Sequence, residues 1–279
     1  MVLISHAVGA KLRCPPGVHY CVGRTMFETD SVPASWVSQC NAMDEVWVPS
    51  VFNLVTFARA GVHPRKLRVV QEGVSPLVLA YQPSRLNFSG CAPGDVIFLS
   101  IFEWSARKGG DLLLRAFAES FTSRDAACLV VKAHIISANV AGAGGGTSVA
   151  ALVRRFQARL ERPDPPRFHF LFGHQTEEGL LDMHASADVF VLPSRGEGWG
   201  RPYADAMGMG VPVIATCAAA LPFPLPPFFF FFFCCVKARG QFLRPRRRDV
   251  RRRSFPSRCP LCLSGPPSPT TRRIAPVGC

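Results

Sequence analysis

The sequence predicts an α/β fold with a doubly wound parallel sheet, followed by a tail of different composition. Short apolar runs rich in Val, Ile and Phe alternate with segments of helical period, which is typical of parallel strands connected by helices. Two charged loops, at residues 105–111 and 194–201, each follow an apolar run. Because such sheets bind ligands at the carboxyl ends of their strands, these loops are the predicted ligand side.

The segment from Asp188 to Thr216 carries the most informative pattern. Asp188–Leu192 is a predicted buried strand, and Val211–Thr216 is the next one. Between them, glycines at positions 196, 198 and 200 precede a predicted helix with Pro202 at its start. Such a loop lets backbone N–H groups approach a ligand, and the start of the helix favours a negative charge such as a diphosphate.

This segment, SRGEGWGRPYADAMGMGVPVIAT, resembles the donor-site segment of the retaining group 1 glycosyltransferases of GT-B fold. In that family two Glu residues separated by seven positions mark the nucleotide-sugar site, and Glu197 and Asp205 have this spacing here. The resemblance implies that Glu197 contacts the hydroxyls of the sugar and Asp205 the ribose, with Lys108 and Glu197 as catalytic residues. The donor-binding residues that it implies are Arg107, Lys108, Gly109, Ser194, Glu197, Gly198, Trp199, Gly200, Arg201 and Asp205.

Arg107 and Lys108 follow a predicted strand and precede a predicted helix, beside two glycines. A Lys at this place pairs with a diphosphate as a point charge and an Arg binds it through a fork of donors, although the two residues alone also fit a solvated basic turn. The family has Lys–Gly here, matched by Lys108 and Gly109, and its Lys contacts the donor phosphates. It commonly has another basic residue about five positions earlier, where this chain has Glu103, so that half of the phosphate clamp lacks its usual residue.

Residues 1–80 resemble the end of the N-terminal, acceptor-binding domain of the same family. The matching pieces are ETDSVPASWV, DEVWVPSVFN and VVQEGVS, and Gln71 stands where the family usually has Pro. Since the family's domain begins with further strands, the resemblance implies a partial Rossmann-like domain. A linker at residues 81–94 and a donor-binding domain at residues 95–220 are expected to follow.

The individual elements follow from period and from boundary residues. The predicted strands are Met1–Val8, a strand ending near Gly23, Glu45–Val48, Leu67–Val70, Asp95–Ser100, Cys128–Val131, Phe168–Phe172, Asp188–Leu192 and Val211–Thr216. The predicted helices begin after Pro33, at Asn53–Ala60, after 105–111, at Val149–Leu160, at Glu177–Ala185 and at Pro202, with Asp111 and Thr176 as candidate N-caps and a loop at 139–147. His134 and His174 are weaker candidates for donor contacts, while His184 and Asp188 are assigned to helix packing and strand entry.

The net charge of +13 at first suggests an acidic partner such as nucleic acid. Twelve of the 32 basic residues but one of the 19 acidic residues lie in residues 237–279, so the rest of the chain is nearly neutral. The Arg runs of this tail have neither interleaved aromatics nor a recognised motif, so no nucleic-acid partner is expected.

The resemblance ends after Thr216, where the chain continues with AAALPFPLPPFFFFFFCCV. This stretch has no strand or helix period and is too short and too rich in Pro for a membrane helix. Three interpretations stay open: a translated intron or shifted reading frame, an interfacial membrane anchor, and a basic interaction tail. Residues 221–279 are therefore predicted to be a disordered or aberrantly translated tail, and membrane association is left undecided.

Eleven cysteines without regular spacing argue against a disulfide framework and favour reduced thiols. Cys259 and Cys262 form one isolated C-x-x-C, which is not assigned to a metal. No charged segment with a long apolar core opens the sequence, so a secretory signal is not predicted. The expected location is the cytoplasm or the cytosolic face of a membrane.

The resemblance implies a glycosyltransferase that moves a hexose from a nucleotide diphosphate sugar to a hydroxyl acceptor with retention of configuration. It implies no cofactor and no bound metal, and the sequence contains no Asp-x-Asp metal site. The alternative is a truncated, non-catalytic nucleotide-sugar-binding remnant or a gene-model product, because the resemblance stops at both ends of the chain.

Overall fold

In the computed structural model of this chain, short runs rich in Val, Ile and Phe form parallel strands. The described part contains nine of these strands, arranged in two sheets. The described residues are 1–134, 149–158, 160 and 163–216. They all belong to one compact unit. The predicted loop at 139–147, the predicted tail at 221–279 and the Cys259–Cys262 motif lie outside the described residues.

The first sheet has the strand order β1-β2-β3-β4, and all its neighbouring strands are parallel. Its strands are β1 (Val2–His6), β2 (Tyr20–Arg24), β3 (Glu45–Val48) and β4 (Leu67–Val69). The helices in this part are α1 (Ala34–Asn41), α2 (Val51–Ala60) and α3 (Pro76–Ala80), with 3₁₀ turns at Gly9–Lys11 and Pro64–Lys66. Helix α2 begins cleanly because the hydroxyl of Ser50 accepts a hydrogen bond from the backbone N–H of Asn53.

The second sheet has the strand order β7-β6-β5-β8-β9 and is also parallel throughout. Its strands are β5 (Val96–Glu103), β6 (Ala127–His134), β7 (Arg167–Leu171), β8 (Val189–Leu192) and β9 (Val213–Ala215). The helices are α4 (Gly110–Ser120), α5 (Val149–Ala158), α6 (Glu177–Ala185) and α7 (Arg201–Gly208). Strand order reverses between β5 and β8, so the loops after these two strands open side by side at the switch point, where such sheets bind ligands.

The predicted parallel α/β architecture is confirmed, and the predicted strands and helices within the described residues are found within a few residues of their expected bounds. Thr176 caps α6 as predicted, since its hydroxyl accepts from the N–H of Gly179. Asp188 serves strand entry, because its carboxylate accepts from the N–H of Ile97 at 2.8 Å. His184 packs against the ring of Phe190.

The prediction of Asp111 as the N-cap of α4 was wrong. Helix α4 begins at Gly110, and Gly109 occupies the N-cap position with φ +71°. Asp111 lies in the first turn instead. A left-handed cap residue favours glycine, which has no Cβ to clash with the backbone, so the Gly–Gly pair decides where the helix starts.

The predicted linker, residues 81–94, has no helix or strand but packs against the second sheet. The N–H groups of Ser84 and Leu86 donate to the side chains of Asp182 and Ser186 at 2.8 and 2.7 Å. Phe88 is buried in the core of the second sheet. The segment is thus fixed to the second sheet, while the domain bounds at 80 and 94 stay a prediction.

Two disulfides contradict the expectation of reduced thiols at four positions: Cys14 pairs with Cys21 and Cys91 with Cys128. Their Cα atoms lie 5.7 and 5.5 Å apart, a normal separation for a disulfide. The spacing of the cysteines along the chain does not reveal which pairs the fold brings together. Cys128 lies on β6, and the fold places Cys91 beside it. Cys40 is free and buried. Among the described helices, none has the length and apolar character needed to cross a membrane.

Gly109→Ala should destabilise the protein more than Gly210→Ala. Both glycines have positive φ, +71° and +74°, which costs Ala on the order of 1 kcal/mol or more. A Cβ at Gly109 would also lie 2.3 Å from the carbonyl oxygen of Pro193, whereas a Cβ at Gly210 would meet nothing within 4 Å. Urea denaturation should therefore show the larger loss for Gly109→Ala, and equal losses would contradict the crowding at Gly109.

His184 should make the protein sensitive to mild acid. Burial lowers the pKa of its imidazole from 6.5 to about 4, and its Nδ1 has no hydrogen-bond partner among the described residues. The unfolded chain therefore binds more protons as the pH falls below about 6.5, and up to about 3 kcal/mol of stability is lost by about pH 4. His184→Leu should flatten the dependence of the unfolding free energy on pH in this window.

The matched control is His174→Leu, because His174 is exposed. It should leave the pH dependence as in the wild type. If His184→Leu also leaves the dependence unchanged, titration of His184 does not control acid stability.

Candidate functional site

The site is built where the loops after β5 and β8 meet at the carboxyl edge of the second sheet. The backbone N–H of Arg195 donates to the carbonyl of Arg107 at 2.7 Å, and the hydroxyl of Ser194 lies 3.3 Å from the same carbonyl. The guanidinium of Arg195 donates to both carboxylate oxygens of Asp111, at 3.0 Å each, and to the carbonyl of Ala106. These bonds hold the two loops together as one surface.

Lys108 and Glu197 form a short ion pair at the centre of this surface. Lys108 Nζ lies 2.6 Å from Glu197 Oε1, and the two side chains are 11% and 5% exposed. Removal of two charges from water is costly, and the pair compensates for it only through close contact. The structure therefore brings together the two predicted catalytic residues, which are 89 positions apart in the sequence.

Arg107 is the second cation at this carboxylate. One of its terminal nitrogens donates to the carbonyl of Gly196 at 2.8 Å and lies 3.4 Å from Glu197 Oε2. Arg107, Lys108 and Glu197 together carry one net positive charge. Glu28, whose Oε1 lies 3.8 Å from Arg107, balances this charge, but its side chain is 40% exposed, so Arg107 can exchange this weak contact for an anion such as a diphosphate.

Each glycine of the 194–200 loop is required for a different steric reason. A Cβ at Gly196 would lie 2.3 Å from the carbonyl oxygen of Glu28, and one at Gly198 would lie 2.6 Å from the sulfur of Met26. Gly200 has φ +87° and occupies the N-cap position of α7. The first two glycines thus allow the loop after β2 to approach closely, and the third sets the start of the helix.

The loop also depends on bonds at both of its ends. The buried hydroxyl of Tyr203 donates to the carbonyl of Leu192 at 2.8 Å. The hydroxyl of Thr216 donates to the carbonyl of Ser194, and the hydroxyl of Ser194 donates to the carbonyl of Gly196 at 2.9 Å. The end of β8, the glycine loop and the end of β9 are therefore tied to one another.

Arg201 and Asp205 do not join the ion cluster. Asp205 lies in the second turn of α7, and its side chain is partly buried without a hydrogen bond to any described residue. Burial raises the pKa of its carboxyl group, with the charge of Arg201 acting in the opposite direction and that of Glu177 adding to the rise. A partly buried carboxylate that lacks a donor is well suited to accept hydrogen bonds from a ligand hydroxyl.

Two more polar atoms near these loops lack partners within the described residues. Trp199 is 5% exposed, and its indole Nε1 has no hydrogen bond. The buried hydroxyl oxygen of Ser105 is also without one. Of the weaker candidates, His134 and His174 are exposed, and Glu103 ends β5 beside His134.

Sequence reasoning missed Glu28, Met26, Arg195 and Asp111 as parts of the site. Arg195 stands between two predicted site residues, so its charge inside a glycine loop was a usable signal. Glu28 and Met26 belong to a segment that was assigned to the acceptor side, and only the contact between the two sheets brings them to the glycine loop.

Metal ligands do not cluster at this site in the described part of the chain. The one group of three potential ligands found there is Cys14, Cys21 and Asp44, which lies in the first sheet. Its two cysteines are joined in a disulfide and so do not supply thiolates.

Comparisons with known proteins relate part of this chain to one family. Residues 93–223 match the family described as glycosyl transferases group 1. A curated relative, the D-inositol 3-phosphate glycosyltransferase of Corynebacterium jeikeium (strain K411), is 30% identical over 115 residues, which cover 41% of this chain and 26% of that protein.

Two solved structures share the fold at low sequence identity. HepE of Anabaena, in complex with UDP and glucose, is 17% identical with a TM-score of 0.54, over 72% of this chain and 54% of that one. A UDP-forming α,α-trehalose-phosphate synthase of Burkholderia xenovorans is 13% identical with a TM-score of 0.56, over 78% and 59%. The chain thus spans about a quarter of the curated relative and little more than half of these two structures. Residues 93–223 thus match the group 1 glycosyl transferase family, and the chain has the α/β fold of the GT-B enzymes.

Proposed function

We propose that this protein is a retaining hexosyltransferase that takes its sugar from a nucleoside diphosphate donor and passes it to a hydroxyl group of an acceptor. The observation that carries the proposal is the ion cluster of Arg107, Lys108 and Glu197 at the switch point of the second sheet. It supplies two cationic side chains at the place where a parallel sheet binds ligands.

Lys108 would neutralise the diphosphate as it leaves the sugar. Charge develops on the leaving phosphate in the transition state, and a fixed cation in a place with little water stabilises that charge most effectively. Glu197 holds the ammonium in position until the donor arrives, because the two groups are in contact at 2.6 Å. Arg107 would add a second contact to the same diphosphate through its fork of donors.

Glu197 would then accept hydrogen bonds from hydroxyl groups of the sugar. Its second oxygen lies 3.4 Å from Arg107, a long contact that a sugar hydroxyl could replace. Gly198, Trp199 and Gly200 bring backbone N–H groups to the same loop, and the first turn of α7 at Arg201 favours negative charge. Ser194 and Gly109 would complete the set of donor-binding residues, in loops whose contacts they also help to form.

Asp205 would bind the ribose of the nucleotide. Its carboxylate is partly buried and has no hydrogen bond to a described residue, so ribose hydroxyls would satisfy it. The choice of UDP as a first probe follows from HepE and from the trehalose-phosphate synthases, whose solved forms contain UDP or are described as UDP-forming. The nucleotide base, the sugar and the acceptor of this chain are not carried over from those proteins.

A second candidate is donor binding without transfer. It is favoured by Glu103, which stands where the family commonly has a second basic residue for the donor phosphates. The two candidates differ in one measurement: a transferase consumes a donor sugar and releases the nucleoside diphosphate, whereas a binding remnant leaves the donor intact.

Donor recognition is tested by calorimetry with UDP, GDP, ADP and the matching nucleosides. At least one diphosphate should bind more tightly than its nucleoside, because the cation cluster contacts phosphate. Lys108→Met should weaken that diphosphate by about tenfold or more, since a hydrogen bond to a charged group contributes about 1.5–3 kcal/mol, and it should leave the nucleoside unaffected.

Two further variants serve as controls for this experiment. Lys108→Met combined with Glu197→Gln removes both members of the buried pair, so no unpaired charge is left to disturb folding. Lys11→Met removes one exposed positive charge from the first sheet and should leave binding as in the wild type. Folded wild-type protein that binds no diphosphate would refute the proposed function.

Asp205→Glu and Asp205→Ala test the ribose contact. The family has Glu at this position, and Asp is shorter by one methylene, about 1.5 Å. Asp205→Glu should tighten the binding of the diphosphate and of the nucleoside alike, and Asp205→Ala should weaken both, because the ribose is common to them. If neither substitution changes either affinity, Asp205 is only a residue of the helix surface.

A further inference from the structure

We infer that Glu28 is a positioning residue that holds Arg107 ready for the diphosphate, an inference that rests on the proposed function. Glu28 lies in the loop that follows β2, residues 25–28, here called the β2 loop. Glu28 Oε1 lies 3.8 Å from one terminal nitrogen of Arg107. The other terminal nitrogen donates to Gly196 and lies near Glu197, so groups from both sheets hold the guanidinium.

The β2 loop is itself fixed by a buried side chain. Asn53 on α2 is fully buried. Its amide nitrogen donates to the carbonyl of Phe27 at 2.9 Å, and its amide oxygen accepts from the N–H of Phe27 at 3.3 Å. Both backbone groups of Phe27 are hydrogen-bonded to Asn53. The backbone of the adjacent Glu28 is therefore fixed relative to the first sheet.

The glycine loop of the second sheet meets the β2 loop directly. A Cβ at Gly196 would lie only 2.3 Å from the carbonyl oxygen of Glu28, and a Cβ at Gly198 only 2.6 Å from the sulfur of Met26. The two loops are therefore in main-chain contact. This contact brings the carboxylate of Glu28 within reach of Arg107.

The ion pair of Arg107 with Glu28 differs from that of Lys108 with Glu197, and the difference suits a positioning role for Glu28. Lys108 and Glu197 are in short, buried contact, whereas Arg107 and Glu28 are 30% and 40% exposed and farther apart. An exposed pair of this kind is weak and is readily exchanged for another anion. Glu28 thus restricts the rotamers of Arg107 without blocking it, and a side chain that is already ordered loses less freedom when it binds phosphate.

The simplest alternative is that Glu28 acts only through its charge. A carboxylate near an anion site repels the anion, so its removal would tighten diphosphate binding. Positioning predicts the opposite sign, because the freed Arg107 must then be ordered by the diphosphate itself. The sign of the change therefore separates the two explanations.

The experiment measures the affinity of the full chain for UDP, or for whichever of GDP and ADP the wild type binds, by calorimetry. Glu28→Gln should weaken the diphosphate by about three- to fivefold and leave the nucleoside unchanged. Asp30→Asn is the matched control, since Asp30 is an exposed acid two residues away with no contact to Arg107 among the described residues. It should leave the affinity unchanged or slightly tighter.

A double variant tests whether Glu28 acts through Arg107. In an Arg107→Met background, Glu28→Gln should have no further effect on diphosphate binding, whereas a purely structural role of Glu28 would lower the affinity again. Equal affinities for Glu28→Gln and Asp30→Asn, tighter binding by Glu28→Gln, or an additive loss in the double variant would each overturn the inference. A wild type that binds no diphosphate removes the proposed function as well, so the two failures are distinguishable.

Discussion

The buried ion pair between Lys108 and Glu197 is the interaction on which the rest of the site depends. It joins the loop after β5 to the loop after β8, and these strands are neighbours only because the strand order reverses between them. Such a pair gives little net stability, because apolar residues of similar size would serve the fold as well. Loss of Glu197 would leave the ammonium of Lys108 buried without its carboxylate, at a cost of about 3–5 kcal/mol. The pair is therefore better explained by the chemistry of the site than by the stability of the fold.

Close approach of main chains is the second constraint. Glycines in the second sheet's loops stand where a Cβ would collide with the first sheet or with the end of β8. Side chains at these places would push the loops apart, and hydrogen bonds between loops weaken when their distances exceed the normal range. The spacing of the glycines thus reflects the close contact between the two sheets.

The architecture could be predicted from sequence, because period and boundary residues act locally, whereas the candidate site residues Lys108 and Glu197 were implied by the family resemblance of their two loops. Runs such as Glu45–Val48 and the cap at Thr176 need no tertiary information. The pairing of Lys108 with Glu197 needed the strand order, which period does not reveal. The two disulfides and the place of Glu28 depend on segments that are distant along the chain. At the start of α4, two local signals competed, and the backbone freedom of Gly109 decided the position against the capping preference of Asp111.

The Cys91–Cys128 disulfide encloses one part of the site in a covalent ring and leaves the other part outside this ring. Its two ends are 37 residues apart, and the covalent ring that they close contains β5, Arg107, Lys108 and α4. By the chain-entropy account, closing a ring of this size removes freedom from the unfolded chain equivalent to about 4 kcal/mol. Glu197 and its glycine loop lie outside the ring. The cations are thus confined to a closed loop even in the unfolded oxidised chain, while their carboxylate partner must be brought back from outside it each time the protein folds.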